Sequence, residues 1–279
     1  MKQRIITGLI LLPLAFCGFF LLDGWPFALF IGLVCMLAAF EWAKLAGINN
    51  AIGQGIYAML VVLLMMGLYL QPHLYGVDSW QWRLPILIGL IWWLLALLLV
   101  LLYPSSRVLI GGKIQRLLIG LFILLPAWVA LLVLKGLSDK THLIAWLLAL
   151  IWLADSGAYF VGRRFGKHKL LPAVSPGKSW EGLAGGMLIA LLPVLGYGLY
   201  LQLSFALIAR GLLIAALLVL VSILGDLTES LFKREAGVKD SGKLLPGHGG
   251  ILDRIDSLTA AAPVFIFLII WFGPSLFYP

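Results

Sequence analysis

Nine separate stretches of this chain are apolar over the length that a helix needs to cross a lipid bilayer. About 20 consecutive apolar residues span the hydrocarbon core, and continuous runs differ from the alternating pattern of an outer-membrane barrel. Only 11% of the residues are charged, against roughly a quarter in a soluble domain. The sequence therefore predicts an all-α polytopic integral membrane protein and excludes soluble, disordered, collagenous and coiled-coil classes. The nine predicted transmembrane helices cover residues 5–22, 25–46, 52–70, 84–103, 117–134, 143–161, 183–203, 205–224 and 258–277.

Lysine and arginine are distributed unevenly over the segments between these helices. If the amino terminus faces the cytoplasm, 16 of the 20 basic residues lie in cytoplasmic segments and 4 lie on the opposite side. By the positive-inside rule, this split predicts a cytoplasmic amino terminus and a carboxyl terminus outside. The net charge of +8 then follows from membrane topology, and we expect no nucleic-acid partner.

The predicted helices divide the chain into two regions. Residues 1–140 hold about five transmembrane helices, and residues 141–279 hold about four. Eight of the twelve acidic residues lie at or after Asp155, so we expect the second region to be catalytic. Its two polar segments, 162–182 and 226–257, both face the cytoplasm in the predicted topology.

Asp155 comes late in the sixth predicted helix, which is otherwise apolar. An ionisable side chain in a transmembrane segment is costly unless it faces a polar cavity, so such a residue indicates a functional site. Alternatively, Asp155 lies at the cytoplasmic interface and pairs with Arg163 or Arg164. The sequence is compatible with both interpretations.

The first polar segment contains the run Ser-Pro-Gly-Lys-Ser at residues 175–179, which invites comparison with a phosphate-binding P-loop. We reject that motif because Pro172 stands where it requires a glycine and no strand is predicted before it. Lys178 as a point charge and Ser179 as a hydroxyl donor still suit a phosphate. The alternative is an anchor for lipid headgroups, which accounts for the basic run 163–169 but poorly for the order of the five residues.

The second polar segment has the highest density of charged residues and glycines. Asp226, Glu229 and Lys233 are three or four residues apart, which places them on one face if the eighth helix continues beyond its apolar part. Asp253 and Asp256 repeat the three-residue spacing where the ninth helix begins. Two helix ends are thus expected to bring two acidic pairs to the cytoplasmic surface, with a basic, glycine-rich loop between them.

This combination indicates metal-assisted chemistry on a phosphate-bearing substrate. Mg²⁺ binds carboxylate oxygens and commonly shares the rest of its shell with substrate phosphates, while lysine and arginine offset charge in the transition state. A zinc site is disfavoured because His248 is alone, and Cys17 and Cys35 lie in distant apolar runs. The alternative, a salt-bridged surface loop, gives no reason for the glycines and the histidine.

Three stretches of the sequence together resemble one known family. The run from Ser230 to Asp256 reads Ser-x-Phe-Lys-Arg-x4-Lys-Asp-Ser-Gly-x2-Leu-Pro-Gly-His-Gly-Gly-Ile-x-Asp-Arg-Ile-Asp, and residues 155–167 and 175–182 add two shorter motifs. At their fixed positions these stretches match the signature of the phosphatidate cytidylyltransferases, also called CDP-diacylglycerol synthases. The layout of many transmembrane helices is similar too, so the resemblance extends over the whole chain.

The resemblance implies a reaction in which the phosphate of phosphatidic acid attacks the α-phosphorus of CTP, giving CDP-diacylglycerol and pyrophosphate. It also implies a requirement for Mg²⁺, with a second cation left open. The implied metal carboxylates are Asp226, Asp253 and Asp256. The implied catalytic residues, which line the phosphate and nucleotide site, are Lys178, Ser179, Lys233, Arg234, Lys239, Asp240 and His248. Further substrate-binding candidates are Asp155, Arg163, Arg164, Ser175, Gly249, Gly250 and Arg254.

Two other functions stay open at this point. A CTP-dependent kinase or cytidylyltransferase acting on a polyprenol or another lipid would use similar loops. A transporter fits the polytopic architecture, although the charged residues crowd at the helix ends instead of mid-membrane. A compact chain with short loops and no targeting extension suits a bacterial inner membrane, and the predicted topology puts the active site on the cytoplasmic side. The family resemblance also suggests a homodimer.

Overall fold

The computed structural model describes residues 2–71, 80–137 and 141–272, with side chains for 7–71, 82–137 and 142–271. Within these residues the chain is almost entirely helical, which confirms the predicted fold class. The helices are α1 (Lys2–Phe16), α2 (Gly24–Leu45), α3 (Ala51–Tyr69), α4 (Trp80–Leu101), α5 (Lys113–Gly136), α6 (Thr141–Phe165), α7 (Trp180–Tyr200), α8 (Phe205–Glu235) and α9 (Leu252–Phe272). A π-helical segment, Cys17–Leu21, continues α1, and a 3-10 helix, Ser105–Ile110, precedes α5.

Eight helices in the described part of the chain, α2 to α9, are long and apolar enough to cross a membrane. The first predicted transmembrane helix corresponds to α1 and its π-helical continuation, in which the apolar stretch Thr7–Leu21 is shorter. The helices extend beyond the predicted apolar limits: α8 continues to Glu235, and α9 already begins at Leu252. Hydropathy marks only the apolar part of a helix, whereas the backbone hydrogen bonds continue through polar residues. Residues 273–277 of the ninth predicted helix lie outside the described residues.

A small antiparallel hairpin lies between α6 and α7, within the segment expected to be a loop. Strand β1 (Lys169–Leu171) pairs with β2 (Ser175–Ser179), with Lys169 opposite Ser179 and Leu171 opposite Ser175. Glu181 in the first turn of α7 accepts hydrogen bonds from the backbone N–H groups of Lys167 and His168, and its Oε1 lies 2.6 Å from His168 Nδ1. These contacts fix the hairpin, which includes Lys178, at the start of α7.

Glycines allow the helices of the second region to pack closely. A Cβ atom on Gly186 of α7 would collide with the carbonyl oxygen of Ala154 on α6, and one on Gly225 of α8 would collide with the carbonyl oxygen of Asp256 on α9. Small residues of this kind let transmembrane helices approach backbone to backbone. Helix α7 also packs against α8. The acidic ends of α6, α8 and α9 are therefore held next to one another.

The helix ends gather into two opposite faces. One face holds the starts of α1, α3, α5, α7 and α9 and the ends of α2, α4, α6 and α8, and we call it the charged end. There Thr7 Oγ1 donates to the carbonyl oxygen of Pro246 at 2.9 Å, and Glu235 pairs with Arg107 and Arg116. At the opposite face the buried Lys135 donates to the carbonyl oxygen of Phe19 at 2.8 Å. The alternating helix directions thus place the start of α1 beside the loop before α9.

Candidate active site

The last turns of α8 carry the acidic face expected from the sequence. Ser230 Oγ donates to Asp226 Oδ1 at 3.1 Å, and Lys233 Nζ lies 3.2 Å from Glu229 Oε1. Each pair is four residues apart, as neighbours on one helical face are. The predicted continuation of α8 therefore places these side chains together at the charged end.

Lys178 of the hairpin reaches this face from β2. Its Nζ atom lies 2.7 Å from Asp226 Oδ2, and both side chains are partly accessible. Asp155 on α6 interacts electrostatically with the same two groups. The arginines considered as partners of Asp155 make other contacts: Arg163 donates to the Tyr159 hydroxyl at 3.1 Å, and the guanidinium of Arg164 lies 5.6 Å from the centre of the Phe165 ring. The geometry thus favours the interpretation that Asp155 belongs to the site.

Asp253, in the first turn of α9, receives donors from three directions. Lys233 Nζ lies 2.6 Å from its Oδ1. Its Oδ2 accepts from the backbone N–H groups of Ser241, at 3.0 Å, and Gly250, at 2.8 Å, and lies 2.9 Å from Ser241 Oγ. The side chain is only 8% exposed. One oxygen is therefore fixed by the loop before α9, and the other faces the lysine.

The remaining carboxylates have fewer partners. Glu229 is 3% exposed; its Oε1 lies 3.2 Å from Lys233 Nζ, and its carboxyl group interacts with that of Asp253. Asp256 interacts electrostatically with Asp226 and Glu229. Five carboxyl groups therefore lie around the two ammonium groups of Lys178 and Lys233. They belong to Asp155, Asp226, Glu229, Asp253 and Asp256. With more carboxyl groups than ammonium groups, the cluster offers oxygen ligands to a further cation.

The donor set fits Mg²⁺ in an open site. Among the described side chains, no three aspartates, glutamates, histidines or cysteines converge on a point where they could together hold an ion. Mg²⁺ needs only one or two carboxylates, since water and substrate phosphates complete its octahedral shell. The side-chain oxygens of Asp226, Asp253 and Asp256 are hard ligands that suit that arrangement.

The loop between α8 and α9 turns sharply at two glycines. Gly247 and Gly249 have φ angles of +78° and +81°, a region that disfavours residues with a Cβ atom. Arg254 holds this turn by donating twice to the carbonyl oxygen of His248, at 2.9 and 3.2 Å. The ring of His248 has a buried Nδ1 without a hydrogen-bond partner. Lys239 and Asp240 are exposed on the same loop.

Several predicted site residues hold the surrounding structure. Ser179 is buried and caps α7 by accepting from the backbone N–H of Gly182 at 3.1 Å. Arg234 Nε donates to the carbonyl oxygen of Val174 at 3.3 Å and so attaches the hairpin to α8. Ser175 lies at the start of β2. The structure therefore gathers Lys178, Lys233, Asp155, Asp226, Asp253 and Asp256 at one place, with Gly249 and Gly250 beside Asp253.

One buried residue was missed by the sequence reasoning. Glu41, near the end of α2, is 3% exposed, and its Oε2 accepts from Ser241 Oγ at 3.0 Å and from the backbone N–H of Leu252 at 2.9 Å. The signal for it was present, because Glu41 is an acidic residue inside the apolar run 25–46. Its partners could not be read from the sequence, since they lie about 200 residues away.

Comparisons with known proteins find relatives along almost the whole chain. The family model described as the cytidylyltransferase family matches residues 2–272. A relative named phosphatidate cytidylyltransferase from Pseudomonas aeruginosa is 55% identical over 96% of this chain and 97% of its own length. Relatives of the same name from Haemophilus influenzae and Bacillus subtilis are 40% and 36% identical, over 95% and 98% of this chain and 97% and 99% of their own lengths.

The matches cover the transmembrane helices as well as the loops at the charged end. They confirm the resemblance that was drawn from the motifs at residues 155–167, 175–182 and 230–256. The chain belongs to the cytidylyltransferase family.

Proposed function

We propose that this protein transfers the cytidylyl group of CTP to phosphatidate, giving CDP-diacylglycerol and pyrophosphate. The observation that carries the proposal is the pair of contacts Lys178–Asp226 and Lys233–Asp253, at 2.7 and 2.6 Å. They place two cations and two carboxylates beside one another at the charged end of a transmembrane bundle. The names of the relatives support this choice of substrates.

In the proposed reaction, a phosphate oxygen of phosphatidate attacks the α-phosphorus of CTP. The bond from that phosphorus to the bridging oxygen breaks, and pyrophosphate leaves with its electron pair. A phosphate monoester is largely dianionic near neutral pH, because its second pKa is about 6. No side chain is therefore needed to take a proton from the nucleophile.

The lysines bind phosphate in this mechanism. In the structure the ammonium groups of Lys178 and Lys233 face carboxylates, and each is a donor that suits phosphate oxygens equally well. We expect them to contact the phosphates of CTP and to stabilise the charge that develops on the leaving pyrophosphate. Backbone hydrogen bonds keep β2 and the end of α8 in place, so only the lysine side chains have to exchange carboxylate partners for phosphates.

One or two of the carboxylates of Asp226, Asp253 and Asp256 would hold Mg²⁺, and water and substrate phosphates would complete its shell. When bound, the ion neutralises phosphate charge and helps to align the reacting groups. The chain's own contribution is to fix Asp253 through Ser241 and Gly250 while its Oδ1 stays directed into the site. A second cation and a homodimer remain proposals that follow from the family resemblance.

The placement of the site suits a lipid substrate. The acidic cluster lies at the helix ends, which corresponds to the headgroup level when the bundle crosses a bilayer. A phosphorylated lipid can then reach the cluster laterally while its acyl chains stay in the membrane. The excess of lysine and arginine in the segments on this side supports a cytoplasmic position, where CTP is available, in a bacterial inner membrane.

The deciding experiment is an assay with detergent-purified protein, CTP, dioleoyl phosphatidic acid and Mg²⁺. We expect pyrophosphate and CDP-dioleoylglycerol in equal amounts, and none when Mg²⁺ is replaced by EDTA or the phosphatidic acid by dioleoylglycerol. Release of CDP with a polyprenol acceptor would instead identify a CTP-dependent kinase. Folded protein that releases neither product would contradict the proposal and favour transport.

A further inference from the structure

Glu41 connects the first region of the chain to the acidic cluster. It lies on α2, and its carboxylate is buried between the loop before α9 and the first residue of that helix. Glu41 Oε2 accepts from Ser241 Oγ, and the same hydroxyl oxygen lies 2.9 Å from Asp253 Oδ2. A continuous chain of polar contacts therefore leads from α2 to Asp253.

The same oxygen also fixes the start of α9. The first backbone N–H groups of a helix have no partner within the helix, and the N–H of Leu252 finds one in Glu41 Oε2 at 2.9 Å. Leu252 directly precedes Asp253. Glu41 thus constrains Asp253 both through the backbone of α9 and through the hydroxyl of Ser241.

The glycines of the loop provide independent support, because they make room for this carboxylate. A Cβ atom on Gly242 would collide with Glu41 Oε1, and one on Gly250 would collide with Ser241 Oγ and Glu41 Oε2. The backbone on both sides of the turn is therefore in contact with the carboxylate of Glu41. Glu41 therefore supports the loop before α9 by close packing as well as by hydrogen bonds.

Packing alone does not account for a charged residue at this position. Glu41 Oε1 is buried without a hydrogen-bond partner, and such a group costs free energy that an apolar side chain of similar size would avoid. Costly intramembrane carboxylates are usually retained for function. The buried carboxylate of Glu41 is explained if its Oε2 is needed to accept the hydrogen bonds from Ser241 and Leu252.

We propose that Glu41 is a positioning residue for the cytidylyl transfer, which holds Ser241 and the start of α9 so that Asp253 Oδ1 is directed at the reacting groups. The role of Asp253 rests on the proposed function. Glu41 itself makes no contact with the substrates in this proposal. It acts only through Ser241, Leu252 and Asp253.

The first test compares two substitutions of Glu41. Glu41→Gln keeps an oxygen that can accept from both Ser241 and Leu252, whereas Glu41→Leu keeps the bulk and removes the acceptor. We expect Glu41→Gln to stay within about threefold of the wild-type kcat and Glu41→Leu to lose at least about tenfold, with KM for CTP changed by less than about threefold. Equal defects in both variants, or a loss confined to KM, would overturn the proposal.

Glu235→Leu is the control, because the side chain of Glu235 is also buried but pairs with Arg107 and Arg116 rather than with Asp253. We expect this control to lower the thermal midpoint but to keep the wild-type kcat. If it lowers kcat as much as Glu41→Leu does, the effect of Glu41 is only structural and the proposal is wrong.

Ser241→Ala keeps the test decisive if Glu41→Leu does not fold. It removes the hydroxyl between the two carboxylates, and we expect it to lower kcat by about tenfold with KM for CTP nearly unchanged. In Glu41→Gln/Ser241→Ala, the combined loss should not exceed that of Ser241→Ala, since both changes act on one chain of contacts. A wild-type kcat in Ser241→Ala would contradict the proposal.

Hydrogen exchange separates a failure of this inference from a failure of the proposed function. We expect faster amide exchange in peptides that cover residues 241–252 of Ser241→Ala and Glu41→Leu, and no change there in Glu235→Leu. This readout does not depend on CTP or lipid. If the wild-type protein has no cytidylyltransferase activity, the proposed function is wrong; unchanged exchange in both site variants would overturn the positioning role.

Discussion

The ammonium group of Lys233 joins two helices, because its Nζ atom lies 3.2 Å from Glu229 on α8 and 2.6 Å from Asp253 on α9. The side chain of Lys233 is only 12% exposed, so this contact is poorly screened by water. Asp253 Oδ1 therefore faces a cation before any substrate arrives. The substrate phosphate or a metal ion has to compete with an existing ion pair at this position.

Asp253→Asn should nearly abolish turnover while leaving the protein folded. The amide keeps the shape of the carboxylate but removes the negative charge that faces Lys233 and that would hold Mg²⁺. We expect kcat to fall by at least about a hundredfold, measured as pyrophosphate release, with a thermal midpoint within a few degrees of wild type. Asp23→Asn is the control, because Asp23 lies at the opposite end of the bundle, beside Lys135. Wild-type activity of Asp253→Asn would reject the metal assignment.

Lys178→Met should weaken the binding of CTP and slow the reaction. Methionine preserves the apolar stem of the side chain but removes the ammonium group that lies 2.7 Å from Asp226. We expect kcat/KM for CTP to fall by about a hundredfold. Lys169→Met, an exposed position on β1 of the same hairpin, should change kcat/KM by less than about threefold. Equal effects of the two changes would show that only the overall charge of the hairpin matters.

Gly249→Ala should damage the site far more than Gly237→Ala. Both glycines have positive φ angles, +81° and +68°, so both substitutions carry a conformational cost of about 1 to 2 kcal/mol. A Cβ atom at Gly249 would lie 2.7 Å from Asp253 Oδ2. A Cβ atom at Gly237 would have no neighbour within 4 Å. We expect a loss of at least about tenfold in kcat for Gly249→Ala beyond that of Gly237→Ala. Similar kcat values would contradict the close contact of Gly249 with Asp253.

Gly186→Ala should destabilise the packing of α6 against α7. A Cβ atom at Gly186 would collide with the carbonyl oxygen of Ala154, whereas Gly196 on the same helix has open space around it. Small-to-large changes in a tight interface cost about 1 to 3 kcal/mol, but Gly196→Ala should be neutral or slightly stabilising. The thermal midpoint in detergent measures both. A Gly186→Ala protein as stable as Gly196→Ala would show that the two helices are not in close contact.

Hydropathy and charge spacing made much of this architecture predictable. The apolar runs located the transmembrane helices, and the three- and four-residue spacings of Asp226, Glu229 and Lys233 correctly placed them on one helical face. The ends of α8 and α9 were less predictable, because hydropathy falls before the helical hydrogen bonds end. The hairpin that carries Lys178 is too short to produce a strand pattern in the sequence.

Contacts between distant segments could not be predicted from patterns along the chain. Nothing local to Lys178 indicates that its ammonium group meets Asp226, since the pairing depends on how the hairpin packs against α8. Similarly, the partners of Glu41 come from a loop and a helix near the other end of the sequence. Periodicity describes one element at a time, whereas these contacts depend on the packing of several elements.

The contact between Glu41 and Ser241 has a consequence for how the chain can be divided. A cut near residue 140 separates the two groups of transmembrane helices in sequence. It leaves Glu41 on one fragment and the loop that donates hydrogen bonds to it on the other. The two fragments must therefore reassociate to rebuild the acidic cluster. For the same reason, a chimera that exchanges the first helices with those of a relative has to preserve the match between the glutamate of α2 and the two glycines that surround it.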